Sequence, residues 1–329
     1  METTQHTEPS QPPAGRNRRL TARSMRGLLW VCGGAVVIHL LPLLLPRNVP
    51  ERDLAIARAI PEATGRVEVL RRVKENPKVT AAHLREAATL LLGGAPSDAR
   101  ELAEEAARRE PDSVETQLVL AAACHEEGSN RCEEQAFARV AALAPGDARA
   151  DLLRADFRER EGDEARALES VEWAYRKRPG DVAVGVRYSR LLSAVGRGDE
   201  AVTVLRGLEG KLGQARGLLE VGRVRAEQGR LGEARALFAK VVELEPRSAQ
   251  AHYHLGMTAW RQGDVEWAEE ALREADRLDM TDLRPLSALC AIQRHEGRSE
   301  AALATRMDLE RRFPERLEEV RGACRAGGP

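Results

Sequence analysis

Aromatic side chains are scarce in this sequence, at 3% of 329 residues, and so is net charge, at −1. The balance of signs gives no reason to look for a nucleic-acid partner, whose footprint would be a basic patch or stripe. Catalytic signatures are missing as well: no H-E-x-x-H, G-x-S-x-G or G-x-x-x-x-G-K-[ST] occurs in the chain. Seven histidines are scattered along it. His252 and His254, two apart on a helix, would point about 200° from one another and so cannot share a ligand. Carboxylates are plentiful, but a charge on a helix surface is usually a solvated face. These absences argue against an enzyme and against a bound cofactor or metal. What is abundant is alanine, leucine, glutamate and arginine, a helical composition.

The abundant residues recur with a period. In Ala215–Ser248, Leu218, Val221, Gly222 and Val224 mark one helical face, Gly229 breaks the pattern, Ala234, Phe238, Val241 and Val242 mark a second face, and Pro246 stops it. Ala249–Asp282 repeats the plan with Leu255, Gly256, Gly263, Ala268, Leu272 and Ala275. Turn glycines at Gly94, Gly128, Gly162, Gly196, Gly229, Gly263 and Gly297 extend it along the chain, 33 or 34 residues apart. Pro111, Pro145, Pro179, Pro246 and Pro314 each follow a turn by 17 residues, with Gly213 and Met280 at that place in the other two.

In this register the chain resembles the tetratricopeptide-repeat family, whose 34-residue helix–turn–helix carries W-x2-L-G-x2-Y, then A-x3-F, then P. Leu218, Val221, Gly222, Arg225, Ala234, Phe238 and Pro246 fall on that pattern, as do His252, Leu255, Gly256, Ala259, Ala268 and Leu272. Arg154, Arg158 and Glu133 depart from it, standing where the pattern has apolar or small residues. The resemblance implies an all-α superhelix, a right-handed solenoid of about seven helix-turn-helix repeats over 80–316 (80–113, 114–147, 148–181, 182–214, 215–248, 249–282 and 283–316). Stacked neighbours would then make one continuous core.

Ahead of the repeats, residues 1–26 read as a disordered basic tail. Gly27–Leu45 carries no Asp, Glu, Lys or Arg over 19 residues. As a helix it would extend roughly 28 Å, close to the thickness of a bilayer core, and it reads as an uncleaved transmembrane helix. Arg16, Arg18, Arg19, Arg23 and Arg26 precede it, against Arg47 and Arg52 just after, which favours a cytoplasmic N-terminus. In a bacterium this makes a single-pass inner-membrane protein with periplasmic repeats. Residues 46–79 read as a connector and N-terminal cap, and 317–329 as a C-terminal cap helix and tail.

Cys124 and Cys132 lie four residues before and four after the turn Gly128, which places them across a helical hairpin. A disulfide, two buried thiols, and a zinc site completed by His125 are all compatible with that placement; an oxidising compartment favours the first. Cys290 and Cys324, 34 apart, could form a second bridge.

The family resemblance implies that the first helix of each pair lines a groove. In that register the groove positions of the later repeats are Arg187, Arg190, Arg216, Arg223, Tyr253, Met257, Trp260, Arg261 and Arg284. Arginine and aromatic residues are what binding hot spots use, and guanidinium groups pair bidentately with carboxylates. The expectation is a non-catalytic, membrane-anchored scaffold. It would bind a protein or peptide partner, acidic or with a free carboxylate, in envelope assembly, secretion or a membrane complex. The competing readings are a regulatory or substrate-recruiting subunit of an enzyme complex and, with inverted topology, a cytoplasm-facing receptor.

Overall fold

A computed structural model describes residues 49–324. The tail expected over 1–26, the span expected over 27–45 and residues 325–329 lie outside the described residues. Among the described residues there is no strand, and no helix is long and apolar enough to cross a membrane. The chain divides into two compact units, one ending at Ala136 and the other beginning at Phe137.

The first unit holds α1 (Pro50–Ala59), α2 (Ala63–Glu75), α3 (Ala81–Leu91), α4 (Pro96–Arg109), α5 (Val114–Glu126) and the start of α6 (Asn130–Leu143). Its core is aliphatic: Leu54, Ala57, Leu70 and Val73 from α1 and α2 are buried with Leu84, Ala88, Leu102 and Ala103. Proline at the first position opens α1 and α4, where a missing N–H costs nothing. Thr80 and His83 close a reciprocal cap on α3. The Arg66 guanidinium donates to the carbonyls of Ile60, Pro61 and Leu90, tying the first turn to the end of α3.

The second unit runs from Phe137 through α7 (Arg149–Arg160), α8 (Glu164–Lys177), α9 (Val182–Ala194), α10 (Gly198–Gly207), the single turn α11 (Glu209–Leu212), α12 (Gln214–Glu227) and α13 (Leu231–Leu244). It continues with α14 (Ala249–Arg261), α15 (Val265–Leu278), α16 (Arg284–His295), α17 (Ser299–Arg312), a 3-10 turn at Pro314–Arg316 and α18 (Leu317–Ala323). We call the first helix of each hairpin A and the second B. Ala155, Ala201, Ala234, Ala259 and Ala268, all fully buried, let A and B helices approach closely, while Leu168, Val171, Leu205, Phe238, Leu272 and Leu309 fill the space between them.

The A-to-B turn follows from one glycine. At Gly263, φ is +84°, a conformation that a Cβ penalises. It lets the Gly263 N–H reach the Trp260 carbonyl (2.9 Å) and the Asp264 N–H reach the Ala259 carbonyl (3.0 Å). The Asp264 side chain then accepts the Trp267 N–H and caps α15, so one residue ends one helix and starts the next. Gly128, Gly162, Gly196, Gly229 and Gly297 share this positive φ.

The first repeat differs from its reading. Its left-handed residue is Gly93 (φ +83°), not Gly94. Gly94 is required for a separate reason: a Cβ there would stand 2.5 Å from that of Ala63. The fourth repeat lacks its closing proline because its B helix breaks after Gly207, re-forms as α11 and stops at Gly213, whose φ is +82°.

Candidate functional site

The residues expected to line the groove all sit on A helices of the second unit: Arg187 and Arg190 on α9, Arg216 and Arg223 on α12, Tyr253, Met257, Trp260 and Arg261 on α14, and Arg284 at the head of α16. Helices α9, α12, α14 and α16 contact one another in sequence.

Most of the arginines meet carboxylates of the chain itself. Arg187 Nη2 lies 2.6 Å from Asp156 and 3.0 Å from Glu159, both on α7. Arg190 donates through Nη2 (2.8 Å) and Nε (3.4 Å) to the two oxygens of Glu220, a forked pairing. Arg223 donates to the same carboxylate at 3.1 Å. The Glu220 side chain is only 7% exposed, whereas that of Arg190 is 51% exposed. Arg284 holds Asp282 at 2.7 Å, and Arg261 donates to the Ala226 carbonyl at 2.8 Å. Arg216 is exposed and is in no ion pair among the described residues.

These pairs obey a rule of register. The sixth residue of one A helix's repeat lies against the ninth of the preceding repeat: Arg187 on Asp156, Glu220 on Arg190, and His254 close enough to Arg223 to feel its charge. His254 is stacked on the buried Phe238 ring at 5.3 Å. Burial first, then the charges of Arg223 and Arg284, push its imidazole down to about 4, so it is neutral near pH 7.

Beyond His254 the face turns apolar. Tyr253, Met257 and Trp260 are half-buried and pack against one cluster with Leu286, Leu289 and Ile292. The Arg284 guanidinium lies 5.3 Å from the Tyr253 ring centre, a cation–π placement. Burial raises the Tyr253 phenol above its ordinary range. Trp260 meets the His295 ring edge-on at 6.0 Å.

Arg187, Arg190 and Arg216 share an open cleft of about 710 Å³, with Ala183, Val186, Leu191 and Ala194 on its floor and Glu159 and Glu164 on its rim. The structure therefore divides the expected residues into the ion-paired Arg187, Arg190, Arg223 and Arg284, the exposed Arg216 and Arg261, and an apolar strip of Tyr253, Met257 and Trp260 on α14. Sequence reasoning had missed Glu220, Asp156 and His254. The signal available was a spacing of thirty or thirty-one residues between opposite charges, meaningful only once consecutive A helices are stacked.

Cys124 and Cys132 are disulfide-bonded with Cα atoms 5.7 Å apart, and Cys290 and Cys324 with Cα atoms 5.5 Å apart. The first bond leaves no thiolate for a metal, and His125 Nδ1 lies 3.1 Å from Glu133. Among the described residues no group of three His, Cys, Asp or Glu could hold a metal ion.

Residues 219–282, which include Tyr253, Met257 and Trp260, match the family model described as tetratricopeptide repeat. Among solved structures, the chain is similar to a tetratricopeptide repeat protein from Parabacteroides merdae, with TM-score 0.56 and 14% identity over 75% of this chain and 99% of that one. It is also similar to the C-terminal part of a TPR repeat-containing protein from Cytophaga hutchinsonii, with TM-score 0.52 and 12% identity over 72% and 96%. PilW, a type IV pilus biogenesis factor, aligns with TM-score 0.47 and 20% identity over 63% and 97%. No curated protein matches the sequence. At these identities the first two likenesses show the fold: an all-α solenoid of tetratricopeptide-like hairpins.

Proposed function

We propose that this chain is a non-catalytic scaffold that holds a protein or peptide partner on the A-helix face of its second unit. The observation that carries the reading is the apolar strip of α14. Tyr253, Met257 and Trp260 follow one another at i, i+4 and i+7 and are half-buried. Half-buried aromatics keep area to give a partner while their own packing holds them rigid, so little side-chain entropy is lost on binding.

The scaffold is anchored in a bacterial inner membrane by Gly27–Leu45, with residues 1–26 in the cytoplasm and the repeats in the periplasm. The support is the uncharged run and its arginine flank. Two disulfides are in keeping with an oxidising compartment. Tethering would raise the local concentration of the partner site at the membrane.

Two experiments test this. A reporter active only outside the cytoplasm, fused after Pro329, is expected to work; activity of a cytoplasmic reporter there overturns the topology. Capture of native partners by the Trp260→Ala, Arg223→Glu double variant, with folding checked by circular dichroism, is expected to fall. Unchanged capture by the folded variant removes the partner site from this face.

A further inference from the structure

We propose that Glu220 is the specificity-determining residue of the A-helix face: it withdraws Arg190 and Arg223 from the partner, so that the face takes an uncharged segment of polypeptide anchored by an apolar side chain. The inference rests on the partner-site reading above and adds the chemical class of the occupant.

The count of arginines alone suggests an acidic ligand, but the geometry points elsewhere. A partner carboxylate needs guanidinium donors that are free. Glu220 already accepts three N–H groups, two from Arg190 in a fork and one from Arg223, which is close to what a carboxylate can take. Its side chain is almost fully buried, so it cannot swing into water without leaving both arginines to a newcomer and abandoning its own place among the helices. A second carboxylate arriving while Glu220 stays would set two anions on donors oriented for one, and like charges close together in a partly desolvated site are unfavourable.

The same cancellation extends along the face. Arg187 is held by Asp156 and Glu159, and Arg284 is held by Asp282 while its guanidinium covers the Tyr253 ring. Around the cleft the formal charges balance, with Arg187, Arg190, Arg216 and Arg223 against Asp156, Glu159, Glu164 and Glu220, although Arg216 itself is in no ion pair among the described residues. The cleft therefore carries no cationic excess. His254, which could have added a charge, is half-buried and neutral near pH 7. Apart from the exposed Arg216 and Arg261, what the face offers without breaking an internal ion pair is apolar: Ala183, Val186, Leu191 and Ala194 of the cleft, and the strip of Tyr253, Met257 and Trp260. Glu220 thus acts by rejection: the arginines order and neutralise the face, and the apolar strip supplies the attraction.

The test uses the full-length protein and a phage-displayed library of random linear peptides as probe. Pools are selected on the wild type, on Glu220→Gln and on Trp260→Ala. Wild-type peptides are expected to share an aromatic or aliphatic anchor and to carry no more Asp and Glu than the input. The Glu220→Gln pool is expected to be acid-enriched, and its best peptide to bind that variant at least about tenfold more tightly than wild type, the scale of one well-placed charge pair. Wild-type peptides should be lost on Trp260→Ala. An acid-enriched wild-type pool, or a Glu220→Gln pool no different from it, overturns the proposal while leaving the partner site in place. Wild-type peptides indifferent to Trp260→Ala, or no selection by any form, remove the partner site and this inference with it. Should Glu220→Gln fail to fold, the salt dependence of the best wild-type peptide decides: a flat response is expected, and steep weakening with added salt overturns the proposal.

Discussion

Gly256 tests whether the close approach of α14 and α15 is a matter of contact distance or of helix propensity. A Cβ built there would lie 3.0 Å from the Ala268 carbonyl oxygen, 3.0 Å from Leu272 Cγ and 3.3 Å from Ala271 Cβ. The first of these atoms is backbone of α15 and cannot rotate away, so the two helices must separate by a few tenths of an ångström. Overpacking of this kind costs ~1–3 kcal/mol, while replacing glycine by alanine inside a helix returns ~1 kcal/mol of propensity. Gly217, inside α12, is the control: a Cβ there meets only Leu212 Cδ2 at an ordinary 3.7 Å. Gly217→Ala should therefore stabilise its helix by up to ~1 kcal/mol. Gly256→Ala should range from neutral to a loss of ~2 kcal/mol, and the difference between the two variants isolates the packing term at ~1–3 kcal/mol. Amide hydrogen exchange of α12, α14 and α15 measures both locally. Because stability in a solenoid sums over neighbours, the loss at Gly256→Ala should be confined to α12–α17. A Gly256→Ala protein as stable as Gly217→Ala refutes the reasoning, and uniform loss along α7–α18 refutes the locality.

The His254 imidazole is pushed below its unfolded value of 6.5 to about 4. Its contribution to stability is therefore full above about pH 6.5 and is lost as pH falls toward 4, amounting to about 2 kcal/mol between pH 7 and pH 5. Urea unfolding at the two pH values should show this loss in the wild type and not in His254→Phe; an equal loss in both is the contrary result. Reduction should loosen the Cys290–Cys324 closure more than the Cys124–Cys132 one. Loops of 34 and 8 residues correspond to about 3.8 and 2.5 kcal/mol in the chain-entropy model, and exchange protection of α16 with α18, compared with α5 and α6 before and after reductant, ranks them. Trp260→Ala should cost a selected peptide ~2 kcal/mol of binding if the residue is a hot spot, read by fluorescence anisotropy; an unchanged affinity places the anchor elsewhere.

Much of the fold was legible because its signals are local. A glycine that must take positive φ, a cap one residue later and small residues at fixed offsets are all visible along the chain, and six of the seven turn glycines fall where the spacing puts them. Gly93 escaped because two adjacent glycines divide the work of turning and of close approach. The departures from the repeat pattern look damaging as letters but are absorbed by partners: Arg154 lies 4.4 Å from the centre of the Phe137 ring, and Glu133 pairs with His125. The site was less legible. The positions of Arg190 and Arg223 follow from register, yet their chemistry depends on Glu220, thirty residues from one and three from the other. Only the nearer pairing can be read along one helix. Residue type alone shows an arginine as a free cation until the next hairpin is stacked on it.

The diagonal between sixth and ninth places also constrains the order of the hairpins. The aliphatic residues at the core recur from repeat to repeat and would fit in almost any sequence of units. The diagonal is more selective, because its junctions do not all carry the same signs. Excising residues 182–214 would bring Asp156 against Glu220, setting an acid on a buried acid. Excising 215–248 would bring Arg190 against His254, the same arginine-on-histidine contact that Arg223 makes in the intact chain. Removing 182–214 therefore requires a compensating charge change at the new junction, whereas removing 215–248 does not, so the second unit, although periodic in its core, is not equally divisible along its length.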